Sequence, residues 1–97
     1  MKLNTFFRNP IKKEISELTN GILNEQWQKE ISKAKIESSG ILDGKEIIFE
    51  FLNHNENGCA YEHLAYVVSE LNMKLTSDQT SEMDKLAKKL DIKNEIK

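Results

Sequence analysis

Apolar residues recur at intervals of three and four positions along most of this chain, the spacing that places them on one face of an α-helix. The pattern is strongest in one stretch, whose stripe consists of Ala60, Leu64, Val67, Val68 and Leu71. A single proline and four glycines among 97 residues leave few enforced breaks between such segments. The pattern predicts a small, all-α, single-domain antiparallel helical bundle of about four to five helices, spanning residues 1–97.

Signals in the first third of the chain bear on its first helices. Asn9-Pro10 predicts a helix start, because asparagine caps the first turn and proline fits the first helical position. Asn20-Gly21 either ends this helix or lies inside a longer one, so the sequence leaves open whether residues 10–37 form one helix or two. Trp27 lies on the apolar stripe that follows, and we expect it in the core.

Two further signals concern the second half of the chain. The run Ile47-Ile48-Phe49 has β propensity, but helical spacing continues to Phe51-Leu52 and favours a third helix. Thr76 and Gln79 have the spacing of a capping box, in which each side chain accepts a hydrogen bond from the other residue's backbone N–H. We expect the last helix to begin there.

Charge is distributed unevenly along the chain. The formal net charge is −2, but residues 43–70, which we call the acidic segment, carry six carboxylates and one lysine, a net charge of −5. Such a segment repels nucleic acid and attracts basic partners. The alternative is that these carboxylates only solvate the outer faces of two helices.

Few residues could carry chemistry. His54, Cys59 and His63 are the only cluster of metal-ligand types, but zinc needs three or four converging ligands and the cysteine has no C-x-x-C partner. A Cys59–His63 nucleophile pair lacks an orienting group, and a buried, inert cysteine is the commoner alternative. The chain also lacks a glycine-rich phosphate loop. We therefore expect no enzyme activity, no metal and no cofactor.

Cysteine content and hydropathy predict the compartment. One cysteine cannot form an intramolecular disulfide, which fits a reducing compartment. No apolar run has the length of a signal peptide or of a bilayer-spanning helix. We expect a cytoplasmic protein without a membrane partner.

Four features follow one another in the second half of the chain. They are a short helix ending in a polar turn, an alanine-containing helix, a Leu-Thr-Ser helix start and a lysine-rich last helix, at residues 51–56, 60–71, 75–77 and 83–92. In this order they resemble the MafI-type immunity proteins, bacterial antitoxins of polymorphic-toxin and contact-dependent growth inhibition systems. The resemblance covers residues 43–92, about half of the chain, and leaves out Asn57 and the first 42 residues. It implies a helical protein that binds and neutralises a cognate toxin domain, often a nuclease, inside the producing cell.

A helix-turn-helix regulator or adaptor is the alternative. Residues 80–92 look like the first helix of such a motif, which needs a recognition helix after a short turn. Residues 93–97 provide only about one turn of helix, and the acidic segment disfavours phosphate binding. We therefore favour the immunity function and expect no nucleic-acid partner.

The resemblance and the charge together predict where a toxin binds. A nuclease must hold phosphates in a basic groove, and carboxylates complement such a surface. The predicted partner-binding residues are Asp43, Glu46, Glu50, Glu56 and Glu62, with Tyr61 and His63 as neighbouring contacts. Tyr61 and Tyr66 flank the main apolar stripe, so we expect both at a half-exposed rim. Glu70, near a helix end, is expected to bond to the following loop instead.

Overall fold

The computed structural model describes residues 10–34 and 40–91 of the chain. The helices in these ranges are α1, Pro10–Ile22; α2, Glu25–Ala34; α3, Gly44–Asn53; α4, Asn57–Glu70; and α5, Ser77–Leu90. No strand occurs in the two described ranges, which confirms the predicted all-α class of four to five helices. None of these helices combines the length and apolar character that crossing a bilayer requires.

Asn24 decides how the first part of the chain is divided. Its Oδ1 accepts a hydrogen bond from the Trp27 backbone N–H at 3.0 Å, and its Nδ2 donates to the Gly21 carbonyl at 3.1 Å. One side chain therefore caps the end of α1 and the start of α2. The break falls after Ile22, while Asn20-Gly21 lies inside α1, so the described part of residues 10–37 forms two helices.

The other local signals are confirmed where the structure describes them. Pro10 is the first residue of α1, and Asn9 lies outside the described residues. Residues 47–49 are helical, so the strand alternative is wrong. The capping box is formed: the Gln79 N–H donates to Thr76 Oγ1 and the Thr76 N–H donates to Gln79 Oε1, both at 3.0 Å.

Asparagines, and not glycines, end α3 and α4. Asn55 and Asn72 adopt left-handed backbone angles, with φ of 59° and 52°. After each asparagine the chain turns back, so that the Glu56 N–H donates to the Phe51 carbonyl at 2.8 Å in the first case. This is the Schellman arrangement, which asparagine tolerates better than most non-glycine residues. Two tight connections thereby place α3, α4 and α5 in antiparallel succession.

Contacts between helix ends show the same antiparallel order across the bundle. Lys89, near the end of α5, donates to both carboxylate oxygens of Glu14, near the start of α1, at 2.9 and 3.0 Å. Helix α1 packs against α3, α4 and α5, and α3 packs most closely against α4.

Trp27 of α2 is 3% exposed, which confirms its predicted place in the core. Helices α1, α3, α4 and α5 contribute most of the core. Their buried apolar residues include Ile15, Leu18, Ile22, Ile48, Leu52, Ala60, Leu64, Val67, Val68, Met83, Leu86 and Ala87.

Gly44, the first residue of α3, allows the close approach of α3 to α4. A Cβ atom built on Gly44 would lie 2.9 Å from Val67 Cγ2, a distance that real Cβ contacts do not show. Val67 is fully buried and β-branched, so its side chain has little freedom to move away. Only glycine fits at position 44 with α3 at this distance.

We predict that Gly44→Ala destabilises the protein by about 1–3 kcal/mol, because the added methyl group overpacks the α3–α4 contact. The matched control is Gly21→Ala, at another helical glycine, where the nearest atom to a built Cβ is Gln79 Nε2 at 3.9 Å. Alanine there should raise stability by about 0.5–1 kcal/mol, since it favours the helix. Urea unfolding followed by circular dichroism measures both; equal stabilisation by the two substitutions would contradict the close contact.

Candidate partner-binding surface

Residues 40–43, which we call the Gly40 turn, lead directly into α3. Gly40 has φ of +88°, a left-handed conformation that favours glycine. Ile41 is fully buried in the core, and its carbonyl accepts a hydrogen bond from the Gly44 N–H at 3.1 Å. The turn is therefore tied to the core through one side chain, while its neighbour Leu42 remains exposed.

Both polar groups of Gly40 are held by side chains. His63 Nε2, on α4, hydrogen-bonds the Gly40 carbonyl at 2.8 Å; since a carbonyl oxygen only accepts, Nε2 carries the proton. Asp43 Oδ1 accepts a hydrogen bond from the Gly40 N–H at 3.1 Å. A Cβ on Gly40 would come within 3.3 Å of His63 Cε1, so glycine also suits this position sterically. These bonds fix the turn against α4.

Two large hydrophobic side chains are exposed at this place. Leu42 is 43% exposed and Tyr66 is 42% exposed. The Tyr66 ring lies 5.6 Å from the His63 ring, centroid to centroid, and its Cε2 is 3.9 Å from the position a Gly40 Cβ would take. The predicted half-exposed position of Tyr66 is confirmed. Leu42 was not predicted, although burial of Ile41 in so short a turn makes exposure of its neighbour understandable.

The predicted carboxylates are on the surface. Asp43 is the last residue of the Gly40 turn, Glu46 lies in the first turn of α3, Glu50 lies one helical turn further along α3, and Glu56 lies in the α3–α4 connection. Glu62 is on the outer face of α4. All five are exposed, and none of them is in an ion pair with another described residue; the ion pairs of the described ranges include Lys85–Glu82 and Lys89–Glu14. Their charge is thus exposed to solvent, although one Asp43 oxygen also accepts the Gly40 N–H, and their role toward a partner stays a prediction.

Tyr61 does not lie where the sequence placed it. It is 1% exposed, and its hydroxyl donates to the Met83 carbonyl of α5 at 3.1 Å. The half-exposed rim position is therefore wrong, and Tyr61 is not available as a surface contact. The reason is that α5 packs on a second side of α4. The buried face of α4 is therefore wider than its apolar stripe and includes Tyr61.

Three other expectations need adjustment. His63 is half-buried and bonded to the Gly40 turn. Its main role is to hold that turn in place, and it adds little exposed area for a partner to contact. Glu70 is exposed and forms no hydrogen bond with the described loop after it, so its expected structural role is wrong. Cys59 is exposed and free, where a buried cysteine was the expected alternative.

The metal-ligand types are separated in the structure. His54 Nδ1 hydrogen-bonds the Glu50 carbonyl at 2.9 Å at the end of α3, whereas His63 Nε2 bonds Gly40. Within residues 10–34 and 40–91, no group of three or more His, Cys, Asp or Glu side chains is placed to hold a metal ion. What the described surface does offer is two exposed hydrophobic side chains, Leu42 and Tyr66, in elements that also carry exposed carboxylates.

Comparison of the chain with known protein families, with curated proteins and with solved structures finds no match.

We predict that Tyr61→Phe reduces the loss of stability at alkaline pH. Burial, and secondly the Asp84 carboxylate, raise the pKa of the Tyr61 phenol above its ordinary value of 10.0. The folded state therefore favours the protonated phenol, and this contribution is complete below pH 10.0 and is lost as pH rises through the folded-state pKa. At neutral pH the variant should lose about 1 kcal/mol with the bond to Met83.

Tyr66→Phe is the control, because it removes the same hydroxyl from an exposed ring. Thermal unfolding between pH 7 and 11 measures both variants. A Tyr61→Phe curve parallel to that of the wild type at high pH would show that the Tyr61 phenol does not contribute to alkaline unfolding.

Proposed function

We propose that this chain is an immunity protein that binds and neutralises a cognate toxin domain inside the producing cell, and that the toxin is a nuclease with a basic surface. The observation that carries the proposal is the exposure of all six carboxylates of the acidic segment, none of them neutralised by an ion pair with a described residue. The resemblance of residues 43–92 to MafI-type immunity proteins supports it independently.

The physical basis is electrostatic complementarity. Glu46 and Glu50 lie on successive turns of α3, so their carboxylates project from one exposed face. Like charges at this spacing weaken a helix slightly, and a basic partner would relieve the repulsion. A field of this kind accelerates encounter and rejects wrongly charged partners, whereas affinity comes from a few packed side chains.

The mode of action under this proposal is stoichiometric binding in the cytoplasm, without catalysis. An acidic surface of this kind competes with nucleic acid for a nuclease's phosphate-binding groove. The same charge opposes the regulator alternative, since a chain with net charge −2 and an acidic segment of −5 repels the DNA backbone. A shift of labelled duplex DNA by the purified protein at physiological salt would favour the regulator.

The test is a triple charge reversal, Glu46→Lys, Glu50→Lys and Glu62→Lys. We expect association with the toxin domain to slow about tenfold or more at low salt, and protection of cells expressing the toxin of the neighbouring gene to weaken. Helical content should be unchanged, because all three side chains are exposed. Co-expression survival and circular dichroism are the two measurements.

The matched control reverses three exposed carboxylates outside the acidic segment, Glu17→Lys, Glu25→Lys and Glu30→Lys. It changes the net charge by the same amount, and Glu25 lies in the first turn of α2 as Glu46 lies in the first turn of α3, so the cost to the helix dipole is similar. Protection lost in the control and kept in the test variant would place the interface elsewhere. Survival that does not depend on this protein at all would end the immunity proposal.

A further inference from the structure

Leu42 and Tyr66 are the large hydrophobic residues that the described part of the chain exposes. Gly40 lies beneath the edge of the Tyr66 ring, and Leu42 follows Gly40 by two residues. The Cα atoms of Gly40 and Leu42 are therefore at most about 7.6 Å apart, so Leu42 belongs to the short segment that packs on α4 near Tyr66. The two side chains come from different elements, Leu42 from the Gly40 turn and Tyr66 from α4, and Gly40 itself packs near the Tyr66 ring.

The surface that carries this pair is rigidly held. Ile41 is buried, His63 bonds the Gly40 carbonyl and Asp43 bonds the Gly40 N–H. A side chain presented from a turn that is already ordered loses less conformational entropy on binding than one on a loose loop. Tyrosine is among the residue types enriched where most of the affinity of an interface resides, and Leu42 adds exposed apolar area on the same ordered turn.

Charge around the pair identifies the kind of partner. Asp43 and Glu46 follow Leu42 at the start of α3, and Glu62 and Glu70 lie one helical turn before and after Tyr66 on α4. All four are exposed. A second copy of this chain would bring two such acidic rims together and be repelled, whereas a basic protein surface would be attracted.

We infer that Leu42 and Tyr66 are the anchors of the toxin interface and insert into an apolar depression on a basic protein surface, with Asp43, Glu46, Glu62 and Glu70 as the charged rim. This inference rests on the proposed function and adds a division of roles to it. The rim governs the association rate, because it acts at a distance, and the anchors govern the dissociation rate, because they act only in contact.

The test measures binding kinetics of the full chain on an immobilised, catalytically inactivated toxin domain of the neighbouring gene, at physiological salt. For the double variant Leu42→Ala, Tyr66→Ala we expect Kd to rise about 30-fold or more, mainly through faster dissociation, with the association rate within about threefold of the wild type. The control Gln26→Ala, Gln28→Ala truncates two exposed side chains on α2 and should leave both rates unchanged. The conservative variant Leu42→Met, Tyr66→Phe keeps the apolar bulk and should retain most of the affinity.

The outcomes separate the inference from the function on which it rests. If the wild type binds the toxin domain and the alanine variant binds equally well, the anchors are wrong while the immunity function stands. A conservative variant as weak as the alanine variant also contradicts the inference, because apolar packing is then not the cause. No binding by the wild type overturns both. A dimer of the free protein that the alanine variant abolishes would assign the pair to a second copy and overturn the inference.

Discussion

The close contact between Gly44 and Val67 determines how near α3 lies to α4, and the candidate surface depends on that distance. The Gly40 turn enters α3 immediately before Gly44, so it reaches α4 only if the two helices approach closely there. The 2.8 Å bond from His63 to the Gly40 carbonyl is possible because of this approach. The glycine at position 44 thereby holds the turn that carries the exposed Leu42 against α4, the helix that carries the exposed Tyr66.

Adjacent residues of helix α4 have different roles, one in the core and the next on the surface. Tyr61 is buried against α5, and the next residue, Glu62, is exposed on the outer face. The same outer face carries Tyr66 and Glu70. Since α4 also contacts α1 and α3, most of its circumference is committed to the core, and the remaining outer strip is where a partner could bind.

Features that depend on local sequence could be predicted, and those that depend on how helices meet could not. The capping box at Thr76 and the helical spacing around Ala60 involve residues within one or two turns, so the chain specifies them locally. Exposure of the acidic segment follows from the cost of burying unpaired charge. Burial of Tyr61, in contrast, requires α5 to cover a second side of α4, and no spacing rule within α4 contains that information.

The surface around Leu42 was missed for the same reason. Ile41 and Leu42 are adjacent and equally apolar, and only the packing of the Gly40 turn on His63 decides which of them enters the core. The break at Asn24 is an intermediate case. The cap that Asn24 forms depends only on local sequence, but the nearby Asn20-Gly21 pair also suggests a helix end, so the sequence alone does not decide between the two positions.

We propose that a basic toxin domain binds the surface formed by the Gly40 turn and the outer faces of α3 and α4. Backbone amide chemical shifts of the isotope-labelled protein, recorded while the inactivated toxin domain is added, test it most directly. We expect the perturbed amides to cluster in residues 40–46 and 62–70. Perturbations confined to α2 and α5, with those two segments unchanged, would contradict the claim.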